Sequence, residues 1–137
     1  MQELTEFSVC DKIRKKREVV MNIKYIHEPT PLQCGQAVLA MLSGKTVDEV
    51  VKLVGTQRET KLSDMLLFLE NEGISFENRR VQVNEKSELP EICILSLETP
   101  RCWHWSLYYK GVFYDPEHGV LDDFPTANRK YYWKING

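Results

Sequence analysis

An α+β domain, with helices first and an antiparallel sheet after them, is the fold the sequence predicts. Three observations carry that expectation. Up to Gly73 the apolar residues recur at the i, i+3, i+4, i+7 spacing of buried helix faces. Beyond Gly73, β-branched and aromatic residues gather in short runs separated by turn formers. Between two of those runs, Lys110-Gly111 has the composition of a tight hairpin turn.

Taken in order, residues 1–20 read as an N-terminal extension. The segment DKIRKKREVV has too thin an apolar stripe to pack firmly, so a solvated arm is expected, with the domain proper spanning 21–137. Pro29 and Pro31 should keep the next segment extended. The first helix then begins at Cys34 and places Cys34, Ala37, Val38, Met41 and Leu42 on one stripe, with Ser43-Gly44 as its stop. Gly35, Ala37 and Ala40 carry little bulk, so another element can approach closely; this is the central helix. In TVDEVVKLVG, Thr46 and Glu49 form a capping box, Val47, Val50, Val51 and Val54 the stripe, and Gly55 the end. A third helix fits KLSDMLLFLENEG, with Leu62, Met65, Leu66 and Leu69 inward and Gly73 closing it. Strands are expected in ISFENRRVQV, EICILSL, HWSLYYK, VFYDP and YYWKI. Such an order argues for a sheet packed against the helix that starts at Cys34.

Composition limits the function. A chain of 137 residues is one domain with a core of its own. The net charge of -2 gives no reason to expect a nucleic acid or an anionic membrane as partner. No run approaches the roughly 20 apolar residues of a membrane span. The polar N-terminus lacks the apolar core of a secretory signal, so a cytoplasmic protein is expected, with secretion by a non-classical route left open. Cys10, Cys34, Cys93 and Cys102 have no close-spaced framework, which favours reduced thiols. Neither CxxC nor HxxxH occurs, so neither a metal site nor a cofactor is expected from spacing.

The chemistry begins with the placement of Cys34. In the first turn of a helix a thiol meets unpaired backbone N–H groups and the positive end of the helix dipole, and both favour the nucleophilic thiolate. The same amides can hold a developing oxyanion on a substrate carbonyl. A base partner is offered by RCWHWSLYYKGVFYDPEHG. With a two-residue loop at Lys110-Gly111, Tyr109 faces Val112 and Ser106 faces Asp115, so His104, Ser106 and Tyr108 share a face with Asp115. His104 and Asp115 are then diagonal neighbours within hydrogen-bond reach. A thiol on the facing helix completes a nucleophile, base and orienting carboxylate.

Each residue also has a plainer reading. Cys34 alone would be a small core residue, His104 an ordinary strand histidine, and Asp115 a turn former before Pro116. Cys93 reads as core and Cys102 as a buried spectator on the His104 face. His27 has no supporting spacing, and His118 reads as exposed loop. The aromatics Trp103, Trp105, Tyr108, Tyr109, Phe113 and Tyr114 read first as sheet packing, with one or two free to line a groove.

CGQAVLAML, followed much later by HWSLYYKGVFYDP, resembles the papain-like cysteine peptidases of the C39-like type, which bacteria and their phages commonly carry as stand-alone members. The resemblance spans about Tyr25 to Pro116 in element order. It implies a papain-like fold, Cys34 as nucleophile, His104 as general base and acid, and Asp115 as the residue orienting the histidine. It also implies a peptide or protein substrate and an oxyanion and substrate region around Glu28, Gln33, Gly35 and Trp105. One position departs from the pattern: where the family has an oxyanion-donating glutamine six residues before the cysteine, this chain has Glu28. An ionised glutamate only accepts hydrogen bonds and repels an oxyanion. Peptide cleavage, glutamine deamidation, acyl transfer and a peptidase-fold binding module without turnover all remain open on the sequence.

Overall fold

The structure, a computed structural model, describes residues 23–137, so the extension expected at 1–20 lies outside the described residues. Three helices pack on a six-stranded antiparallel sheet. They are α1 (Cys34–Ser43), α2 (Val47–Val54) and α3 (Leu62–Asn71). The strands are β1 (Val81–Gln82), β2 (Ile92–Glu98), β3 (Trp103–Tyr109), β4 (Val112–Asp115), β5 (Gly119–Leu121) and β6 (Lys130–Lys134). Their order across the sheet is β1-β6-β2-β3-β4-β5, so the last strand inserts beside β2 while β2 to β5 form a meander. Among the described residues, no helix is long and apolar enough to cross a membrane.

The local chemistry explains where the helices start and stop. Gly44 ends α1 at φ 79°, a left-handed conformation that costs glycine nothing. Thr46 and Glu49 close the expected capping box on α2, and Gly55 ends it at φ 88°. At the start of α3 the Asp64 carboxylate accepts the Lys61 N–H at 2.9 Å. Two expectations need correction. The segment around Pro29 and Pro31 is not simply extended: Gln33 N–H donates to the Thr30 carbonyl at 3.1 Å, making a turn with Pro31 in its second position. And α1 is buried all round rather than along one stripe, because helices, sheet and the 56–60 segment enclose it on every side.

The sheet differs from the sequence reading at its edges. Of the run ISFENRRVQV only Val81–Gln82 pairs as a strand, with Phe76 forming an isolated bridge to Ile135. Strand β5 was not expected, being only three residues long. The hairpin at Lys110-Gly111 forms as predicted: both residues have positive φ (49° and 91°), and Tyr109 faces Val112 with Leu107 facing Tyr114.

Both faces of the sheet are buried, against different layers. On one face Ile94, Leu107, Tyr109 and Trp133 pack with Val38, Leu39, Met41 and Leu42 of α1. On the other, Cys93, Leu95, Leu97, Tyr108 and Phe113 are covered by Leu121 of β5 and by Leu89, Phe124 and Ala127 from connections, with no helix among them. That second cover is what a sequence of short polar-flanked segments conceals.

Gly35 marks the closest approach of α1 to the segment leading into α3. A Cβ there would lie 1.9 Å from Thr60 Oγ1 and 3.1 Å from Met65 Sδ. Gly35→Ala is therefore expected to destabilise the fold by about 1–3 kcal/mol, as overpacking does. Denaturant unfolding should show the loss, and Thr60→Ala in the same chain should recover part of it.

Candidate active site

The site lies where three elements end together. Strand β4 stops at Asp115, and Pro116 turns the chain away. The segment entering α1 runs beside that end: the Glu28 N–H donates to the Pro116 carbonyl at 2.9 Å, and the Tyr25 hydroxyl to the Asp115 carbonyl at 2.6 Å. In β3 the backbone groups of Tyr109 and Leu107 face β4, so by alternation the Trp105 N–H points past its end. It finds the Cys34 sulfur instead and donates to it at 3.3 Å. The helix start is thus fixed to the one stretch of β3 that β4 leaves open.

Asp115 is fully buried, and every donor around it is part of the site. Its Oδ1 lies 3.0 Å from His104 Nε2 and 2.9 Å from His118 Nδ1, and accepts the N–H groups of Glu117 and His118 at 3.0 Å each. Its Oδ2 accepts the Ser106 hydroxyl at 2.8 Å. Burial works to raise the Asp115 pKa, but the hydrogen bonds from His104, Ser106 and His118 and the charge of His104 outweigh it and hold the carboxyl at about 2. His104 shows the converse balance. Burial works against its charged form, yet Asp115 and Cys34 together hold the imidazole protonated well above its ordinary range. With Nε2 on Asp115, Nδ1 is the nitrogen left for Cys34, and one donor atom each of Cys34, His104 and Glu28 lie within 4.8 Å of one another.

The predicted constellation of Cys34, His104 and Asp115 is therefore brought together, with one correction to its geometry. His104 pairs with Leu97 and so shares the face opposite to α1. The thiol meets the imidazole around the open edge of β3, not across the face that the helix covers. Sequence parity placed His104 with Asp115 correctly, but the side from which the helix arrives depends on packing.

The other expected residues take varied places. Glu28 is buried beside Cys34 and His104; burial raises its carboxyl pKa, the His104 charge opposes this, and Glu117 and Asp115 add to the rise. Gln33 is the N-cap of α1 without a side-chain capping bond. Gly35 is packed under Thr60, a role in close approach. The Trp105 indole donates to the Thr60 carbonyl at 3.2 Å, fixing one wall. Cys93 is core, and burial pushes its thiol pKa up. Cys102 is exposed at the mouth of the site, not buried, because it precedes the first residue of β3. His118 is partly exposed as expected, but its ring hydrogen-bonds Asp115, a contact the sequence reading missed. Its position three residues after Asp115, across a turn, was the available signal. Gln36 was also missed: its Nε2 donates to the carbonyls of Thr56 and Arg58 at 3.0 and 2.7 Å, tying the loop before α3 to α1.

A cleft of about 500 Å³ opens onto Cys34 and His104, with Trp103, Trp105 and Leu32 among its apolar walls and Arg101 and Glu117 paired at its rim. A larger hollow of about 1070 Å³ lies on the sheet face away from α1, around Tyr108, Lys86 and Phe124, but neither Cys34 nor His104 lines it, so the smaller cleft is the candidate site. No protein-family model matches the sequence. No curated protein matches it either.

The depressed Asp115 pKa has a definite sign in stability. Between its ordinary value near 3.8 and about 2, the unfolded chain binds the proton more readily. The Asp115 contribution is therefore complete above about pH 5 and lost as pH falls through about 2. Unfolding midpoints across this window should fall toward acid in the native chain, with a shallower slope in Asp115→Asn.

Proposed function

We propose that this chain is a papain-like thiol hydrolase that cleaves a peptide or other amide bond through Cys34, His104 and Asp115. The observation that carries the reading is the buried His104 Nε2–Asp115 hydrogen bond of 3.0 Å, with the Cys34 sulfur next to the same ring and open to a cleft. In this mechanism the Cys34 thiolate attacks the substrate carbonyl and forms a tetrahedral intermediate. His104, protonated at Nδ1, gives that proton to the leaving amine as the C–N bond breaks, leaving an acyl-enzyme. The neutral imidazole then takes a proton from water, whose oxygen attacks the thioester and releases the acid and the thiol. Asp115 fixes the ring and stabilises its charged form. The Trp105 N–H held on the sulfur supports the thiolate in the resting site.

Backbone N–H groups at the start of α1 are the oxyanion donors in this reading. Glu28 stands beside them as a carboxyl rather than an amide, which weakens the site for an anion unless the group is neutral. An inactive binding module is the second reading, and this residue favours it.

Two experiments test the proposal. In reduced, chelator-treated protein, iodoacetamide should alkylate Cys34 near neutral pH far faster than a free thiol, and His104→Ala should abolish the advantage; mass spectrometry of the labelled peptide reads both. Labelling no faster than a free thiol supports the binding module. Replacing Glu28 by glutamine should raise turnover of a generic peptide or amide substrate in metal-free buffer, by up to ~10²–10³ if a full oxyanion donor is restored. An unchanged rate removes position 28 from the oxyanion site.

A further inference from the structure

Glu28 is more than nine-tenths buried, and among the described residues its Oε1 has no hydrogen-bond partner. A buried carboxylate oxygen without a donor is costly, so its position beside other charged or ionisable groups calls for a specific counterpart. A carboxylate oxygen of Glu28, the Cys34 sulfur and a His104 ring nitrogen all lie within 4.8 Å of one another. We propose that Glu28, Cys34 and His104 form a binding site for a Zn²⁺-class divalent cation, and that the bound cation withholds Cys34 from reaction.

The donor set selects the class of ion. Thiolate and imidazole favour borderline-soft metals, whereas calcium and magnesium take oxygen ligands. Two negative donors and a neutral imidazole match the charge of a divalent ion in a buried site. Bond lengths of about 2.0–2.3 Å at tetrahedral angles separate ligand atoms by roughly 3.5 Å, so donor atoms within 4.8 Å of one another need to close by at most ~1.3 Å. Glu28 has the rotatable bonds to supply that movement. Three protein ligands leave a fourth position toward the cleft.

The surroundings of His104 fit the same role. A metal-bound histidine characteristically donates its other ring N–H to a carboxylate, and Nε2 meets Asp115 at 3.0 Å. A neighbouring trio, His104, Glu117 and His118, also has close donor atoms. It is the weaker site, because His118 Nδ1 and His104 Nε2 are both engaged by Asp115. Coordination through Cys34 requires thiolate and neutral imidazole, so one proton passes from the Cys34–His104 pair to solvent as the ion binds.

This inference stands on the donor set and does not require the hydrolase reading. Its test uses the full chain, reduced and stripped with a chelator. Zn²⁺ is titrated against a chromophoric chelator, and Co²⁺ is used to read thiolate-to-metal charge-transfer absorption. One ion should bind per chain. The charge-transfer band should vanish in Cys34→Ser, and Glu28→Gln, which keeps the side chain's shape, should weaken Zn²⁺ binding by at least about tenfold. Cys10→Ser and Cys102→Ser should bind as the native chain does. Zn²⁺ should also protect Cys34 from iodoacetamide.

Absence of stoichiometric binding overturns the proposal. So does native affinity in Glu28→Gln, the result expected if the carboxyl holds only a proton, or a band that follows Cys10 or Cys102. Alkylation of the chelated protein separates the two readings: fast, His104-dependent labelling upholds the hydrolase whatever the metal titration shows. Slow labelling there, with stoichiometric binding that depends on Glu28, upholds the metal site alone.

Discussion

A carboxylate cut off from water persists in its charged form only where other donors replace its hydration. Asp115 meets that condition with the Ser106 hydroxyl, the rings of His104 and His118, and the amides of Glu117 and His118. These donors come from β3 and from the turn after β4, so one side chain fixes how the two strands part. The carbonyl of the same residue accepts from Tyr25, which brings the segment before α1 into the arrangement. Imidazole orientation, the exit of the chain at Pro116 and the approach of the helix all depend on this group.

The early end of β4 then has a chemical consequence. A longer β4 would use the Trp105 N–H in its own ladder, and the helix start would have no place beside His104. Because the strand stops, the Cys34 sulfur takes that donor and sits at the edge of β3. Packing reinforces the position from behind. Gly35 allows Thr60 against the first turn of α1, and Trp105 reaches the Thr60 carbonyl from the sheet. Cleft wall, Cys34 thiol and close packing are therefore parts of one junction between α1, β3 and the entrance to α3.

Glu28 gives that junction its particular character. Its backbone has a structural task, binding Pro116, while its side chain is buried next to Cys34 and His104. An amide there would add a hydrogen-bond donor; a carboxyl adds either a negative charge or a proton. One side chain, on a backbone tied to Pro116, thus sets the charge beside Cys34 and His104.

The sequence by itself determined the elements that local physics governs. Helix limits followed from Gly44, Gly55 and the Thr46–Glu49 box, and the hairpin register followed from Lys110-Gly111 because a two-residue turn fixes which residues face each other. That register alone aligned His104 with Asp115. Tertiary structure decided what involves residues distant in the chain: the burial of α1 on all sides, the insertion of β6 beside β2, and the short loops that cover the second face. It also decided that Cys34 comes to His104 around an open strand edge, and that the Glu28 carboxyl faces both. Spacing records only neighbours along the chain, whereas these meetings depend on where whole elements pack.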